Sequence, residues 1–133
     1  MREILFRGKR LDTGEWVEGF LLKVTIDGKS AYLIFGDNFC FDGSDVKALS
    51  HALVDPATVG QFIGREDLHG SRIFEGDIVD HGRGRFVVWY IKSISRFAGT
   101  KPGISFAGFS FENSVKVGNI HDNPELMEVN EDG

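Results

Sequence analysis

Four histidines, His51, His69, His81 and His121, are the side chains best suited to acid–base or metal chemistry. No two lie within four positions of each other, so no local zinc spacing and no His-Glu-x-x-His motif is formed. Asp77 stands four residues before His81, but the residues between read as a strand end and a turn, not one helical face. Asp122 adjoins His121, yet neighbours on extended backbone point to opposite sides. A hydrolase would need Asp77 to meet His81 or His121 in one cleft, within hydrogen-bond reach. There is no Gly-x-Ser-x-Gly elbow and no phosphate loop; Gly82-Arg83-Gly84 sits between strands without a helix dipole behind it. Asp37, Asp42 and Asp45 suggest calcium, but the ordered ligand series is missing and Phe39 and Phe41 interrupt it. The stretch from Gly36 to Asp45 is expected to be a loop pinned by those two phenylalanines. No catalytic residue, cofactor or metal is expected.

Composition bounds what holds these residues. The 133 residues suit one ordinary domain, or two very small ones sharing a core. Hydrophobic residues make up 41%, enough to bury a core. The 12 phenylalanines favour pleated sheet, and the 17 glycines favour many turns and bulges over long helices. A net charge of −5 repels a nucleic-acid backbone at long range, so nucleic-acid binding is not the expected role. Arg2, Arg7, Lys9 and Arg10 crowd one strand, and Arg83, Arg85, Lys92 and Arg96 another; both read as solvated faces. The single Cys40 excludes an internal disulfide and fits a reducing compartment, where it serves as a small hydrophobe. With no signal-peptide pattern, and no apolar run longer than Phe86–Ile91, a soluble cytoplasmic protein with no membrane contact is expected.

The elements are short and extended. Ile4 to Phe6 begins a strand, Asp12-Thr13-Gly14 turns, and Trp16-Val17 returns; a three-residue loop would set Phe6 opposite Phe20. Phe20, Leu22, Val24 and Ile26 then alternate with Leu21, Lys23 and Thr25, a period of two. Asp27-Gly28 is a two-residue hairpin turn, which fixes Ile26 opposite Lys29, Val24 opposite Ala31 and Leu22 opposite Leu33. A three-stranded antiparallel meander over 3–36 follows. Val46–His51 reads as helix or strand with equal ease. His51 to Asp55 is extended and stopped by Pro56. From Val54 to Val79, glycines at 60, 64, 70 and 76 separate short apolar runs, giving strands at Thr58–Phe62, Arg72–Phe74 and Ile78-Val79. Phe86 to Ile91 is apolar on both faces and is expected to be central or an oligomer contact. Ser93–Gly103 reads as a polar loop. A parity slip at Ala107-Gly108 suggests a bend, which suits a small closed barrel. Val115–Val117 is the last strand, and Asn119–Met127 a turn leading to one helical turn. Trp16 and Trp89 read as core or interface anchors, with base stacking as the alternative.

Four blocks carry a family resemblance: Met1–Lys9, Thr58-Val59-Gly60-Gln61-Phe62-Ile63-Gly64, Ile73-Phe74-Glu75-Gly76-Asp77-Ile78-Val79, and Gly118-Asn119-Ile120-His121-Asp122-Asn123-Pro124-Glu125-Leu126. In this order they resemble the YopX family of bacteriophage and prophage proteins. The block after Gly64 departs from the family pattern, reading Arg65-Glu66-Asp67-Leu68-His69-Gly70. The resemblance implies a mainly β protein, with an N-terminal half-barrel sheet over 1–55, a small bent barrel over 56–133 and little helix. It also implies homo-oligomers, and it brings no catalytic residue. The expected role is a non-enzymatic accessory protein in a bacterial host, binding a host or phage protein. A single-strand nucleic-acid binder and a hydrolase are the alternatives. Asp77, Asn119, Asp122 and Asn123, with Trp89, are the candidate binding residues; for the four polar ones, bonding to nearby backbone in turns is the competing explanation.

Overall fold

A computed structural model describes residues 4–36, 52–82, 84–101, 104–106 and 111–128. Eleven strands lie among them: β1 (Phe6–Lys9), β2 (Trp16–Ile26), β3 (Lys29–Phe35), β4 (Leu53–Val54), β5 (Gly60–Glu66), β6 (Arg72–Phe74), β7 (Asp77–Asp80), β8 (Arg85–Ile91), β9 (Arg96–Lys101), β10 (Ile104–Phe106) and β11 (Val115–Asn119). Helix among these residues is limited to single 3-10 turns at Pro56–Thr58, Lys92–Ile94, Phe111–Asn113 and Pro124–Met127. The protein is mainly β, as its phenylalanines and glycines suggest. Two compact units divide inside β5, between Gln61 and Phe62. The Asp37–Asp45 part of the expected loop, Cys40, Val46–His51, the Gly108 bend and Asn130–Gly133 lie outside the described residues.

The first unit is the expected meander, with β4 added on β3 and the start of β5 on β1. The β2–β3 register follows from its turn. Asp27 and Gly28 both take positive φ, 52° and 78°, and Ile26 pairs with Lys29, Val24 with Ala31 and Leu22 with Leu33. The first hairpin differs from expectation by one residue: Phe6 faces Gly19, not Phe20. Its loop is longer than three residues, because the last pair is Lys9 with Trp16. The Arg10 N–H donates to the Glu15 carbonyl at 2.9 Å, and the Arg10 guanidinium clamps Asp12 with bonds of 2.9 and 2.7 Å. Gly19 now lies under β3. A Cβ there would stand 2.0 Å from the Phe35 carbonyl oxygen. On the same side, Ile34 and Val54 pack over Gly8, within 3.1–3.2 Å of where its Cβ would be. The strand expected at Thr58–Phe62 starts instead at Gly60, because Thr58 belongs to the 3-10 turn Pro56–Thr58. Asp55 caps it by accepting from the Ala57 N–H at 3.0 Å, and the Thr58 hydroxyl accepts from the Lys9 N–H at 2.9 Å while donating to the Asp55 carbonyl at 2.7 Å.

In the second unit β5 pairs with β6, and a five-stranded sheet runs in the order β10-β9-β8-β7-β11. Val87 and Val88, adjacent on β8, are both buried, so that strand is covered on two sides as its apolar run implies. Ile63, Ile73, Val79, Val88 and Phe111 form the core, with Phe86 and Phe97 against it. Two expectations are corrected. The stretch after Ser93 is mostly strand: Ser95 takes φ 53°, and β9 turns back so that its residues Arg96 to Thr100 pair one by one with β8. And the sheet is open rather than a closed barrel. Closure would have to use the outer edge of β11, which is already occupied. The Lys116 N–H donates to the Asp67 carboxylate at 2.9 Å, and the neighbouring Ser114 carbonyl accepts from the Leu68 N–H at 2.9 Å.

Candidate functional site

Four of the five residues singled out in sequence do come together, and backbone groups are prominent among their partners. Asn119 pairs with Asp77 across β11 and β7. The Asn119 Oδ1 accepts from the N–H groups of His121 and Asp122 at 3.0 and 2.9 Å, and its Nδ2 donates to Asp122 at 3.1 Å. The Asn123 N–H donates to the Asn119 carbonyl at 2.8 Å, while its Oδ1 accepts from the Asn119 N–H at 3.3 Å. This knot ties β11 to the turn after it. A second turn leans on it. Gly76, at φ 88°, accepts from the Ile120 N–H at 2.8 Å, and a Cβ on Gly76 would lie 3.3 Å from the His121 Nε2. Only a glycine meets both the dihedral and the close approach.

Asp77 ends that Gly76 turn. Its side chain is wholly buried; Oδ2 accepts from the Phe74 N–H at 2.8 Å and lies 3.6 Å from the Lys116 ammonium. Lys116 also donates to the Arg72 carbonyl at 2.8 Å. A carboxylate held this way orders backbone and has no surface to offer a substrate. Trp89 makes none of these bonds; it is half-buried on β8, opposite Ala98.

Asp67 was not among the candidates, yet three backbone N–H groups donate to it. It is buried, and one oxygen accepts from His69 and Ser71 N–H groups at 2.9 Å each, the other from Lys116. Burial alone would push its carboxyl up; the three backbone donors, with His69 nearby, outweigh that and hold it below the ordinary carboxylate value. The Asp67-Leu68-His69-Gly70 turn was readable locally. Its bond to a strand 49 residues away was not.

Three cations lean on aromatic rings. The Arg7 guanidinium and the Lys9 ammonium lie 4.6 and 5.4 Å from the Trp16 ring centre. Lys101 lies 4.7 Å from the Phe86 ring centre. An open hollow of about 360 Å³ beside it is lined by Asp80, Gly84, Arg85, Lys101, Leu126 and Glu128 among others, two cations and two acids with no dominant sign. Among the described residues no group of three or more His, Cys, Asp or Glu side chains is placed to hold a metal, and no helix is long and apolar enough to cross a membrane.

The other feature is apolar. Phe20, Leu22, Val24 and Ile26 form a row along one side of β2, and the exposures are 61% for Phe20, 48% for Leu22 and 67% for Ile26. Period-two alternation identified this row; it did not tell that the row faces outward. Beside it Val24, Ile26, Asp27, Lys29, Ser30 and Ala31 line an open hollow of about 410 Å³ at the hairpin tip.

Fold and site together define a mainly β protein of open antiparallel sheets, whose motif residues tie turns and whose exposed apolar surface is a strand face. The chain belongs to the YopX family: the family model described as YopX protein matches residues 5–128. Among solved structures, the crystal structure of protein EF1440 from Enterococcus faecalis is similar in fold. The likeness has a TM-score of 0.54 at 20% identity and covers 96% of this chain and 100% of that one. No curated protein matches the chain.

Proposed function

We propose that this YopX-family protein is a non-enzymatic phage or prophage accessory protein, a binding or assembly module acting in the bacterial cytoplasm. The observation that carries the reading is the β2 row, with Phe20, Leu22 and Ile26 about half or more exposed. Single exposed apolar residues are ordinary; an aligned series on one strand face is the mark of a contact surface. The way the polar motif residues are spent supports the same reading. Asp67, Asp77, Asn119 and Asn123 each accept from backbone N–H groups at turns or strand ends. The single-strand nucleic-acid reading draws less support, since Phe86 packs on the core and carries Lys101.

Capture from a lysogenic or infected host tests it. Tagged wild-type protein should retain a protein, and Phe20→Asp or Ile26→Asp should release it while the chain still unfolds cooperatively. Retention indifferent to both substitutions, or salt-sensitive retention of single-stranded nucleic acid instead, would reject the proposal.

A further inference from the structure

We infer that the outer edge of β2, from Leu21 to Thr25, takes an extended segment of another protein as an added strand. The inference rests on the binding-module reading and names the form of the partner. β2 runs from Trp16 to Ile26, but β1 accompanies it only from Trp16 to Gly19. Before Phe6 the chain is not in the ladder, and Leu5 is buried. From Phe20 onward β2 therefore has β3 on one edge and, among the described residues, no strand on the other.

Parity decides which groups that edge offers. The Asp27-Gly28 turn makes Ile26 and Lys29 exchange backbone bonds, so Ile26, Val24, Leu22 and Phe20 direct their N–H and C=O groups at β3. The far end of β2 agrees. The bond from the Arg10 N–H to the Glu15 carbonyl sets the phase of the first hairpin, in which Val17 and Gly19 turn their backbone groups to β1. Leu21, Lys23 and Thr25 continue that series past the end of β1, and their N–H and C=O groups point away from β3. A lysine often guards such an edge. Here the Lys23 ammonium leans back over β3, 5.7 Å from the Tyr32 ring centre, and leaves the edge clear.

The two sides of the hairpin set the chemistry of the occupant. On one side Phe20, Leu22 and Ile26 are about half exposed or more, while Leu33, opposite Leu22 on β3, is buried. The apolar row is thus bare on the strand with the open edge and covered on its neighbour at Leu33. On the other side Lys23 and Thr25 are exposed. A strand laid in the direction of β1 sets its even members beside the row and its odd members beside Lys23 and Thr25. The occupant is an extended segment of alternating apolar and polar residues with an acid facing Lys23. Backbone bonds give it affinity, and alternation gives it register.

The probe is the end-capped peptide Ile-Thr-Val-Glu-Val-Thr-Ile, whose central Glu faces Lys23 when its end residues face Ile26 and Phe20. Titrated into the full chain, it should bind with a Kd on the order of 100 μM. The amide resonances of Leu21, Lys23 and Thr25 should move more than those of Leu22 and Val24. N-methylation of the Glu should weaken binding roughly tenfold or more, and N-methylation of either Val less than about threefold, because bonding amides recur at every second residue. Lys23→Glu should weaken binding roughly fivefold, and a peptide with a central Lys should prefer that variant to wild type. Lys23→Pro deletes an outward donor and no bond to β3, and should abolish binding. Thermal unfolding shows whether it folds; if it does not, the methylation pattern on the wild-type chain decides. No shift at millimolar peptide, or methylation losses that ignore the alternation, would overturn the inference. So would a dimer in sedimentation that Lys23→Pro dissolves, since the edge would then serve a second copy. A wild type that ignores the peptide yet captures a protein that Phe20→Asp releases would overturn strand addition alone. One that does neither would overturn the module reading as well.

Discussion

Three N–H groups converge on the Asp67 carboxylate, and each is a charge-assisted bond in a buried place. Asp67→Asn keeps the shape and loses the charge, and one amide position turns from acceptor to donor. The expected loss is about 2–4 kcal/mol, measurable by urea unfolding at neutral pH. The sign of the pH dependence follows from the direction of the shift. Asp67 is held below its unfolded value, so its contribution is complete above about pH 4 and fades as the pH falls through the depressed folded value. Wild type should lose stability over that range more steeply than Asp67→Asn. A second residue, Gly19, is constrained by space. Its backbone passes under the Phe35 carbonyl, and a methyl group there would overlap it at 2.0 Å. Gly19→Ala should cost about 3 kcal/mol or more, and a thermal midpoint unchanged by it would contradict the described β2–β3 approach. Neither effect was legible in the sequence. Each depends on a partner strand, and one residue type with its neighbours does not name that partner.

At the scale of elements, legibility tracked how local the determinant is. Asp27-Gly28 sets its hairpin register within four residues, so the pairs from Ile26–Lys29 to Leu22–Leu33 could be read directly. The preceding hairpin could not, because its longer loop is closed by the Arg10 N–H to Glu15 carbonyl bond and the Arg10–Asp12 clamp. Arg96–Lys101 reads as loop, with a glycine, an alanine and a single phenylalanine, and becomes a strand because β8 offers it an edge. The Asn119 turn is the element whose loss is best measured locally. Asn119→Ala removes two backbone-directed bonds and should cost about 1–2 kcal/mol. Hydrogen exchange at His121 and Asp122 should quicken more than at Ile78 or Val79, whose pairing lies in the sheet. Uniform quickening would show that the turn is not an independent unit.

For the whole molecule, the sequence told of a mainly β chain of the YopX family. The direction in which the β2 row faces stayed hidden, since alternation marks two sides of a strand without saying which one meets water. A sheet that does not close keeps its margins, and a bare margin invites another chain to extend it without limit. On β11 that margin is stopped by one carboxylate and one turn. Acid below the depressed Asp67 value should remove the stopper, so clear solutions acidified through that value should slowly cloud with thioflavin-positive fibrils, and Asp67→Asn should do so sooner at neutral pH.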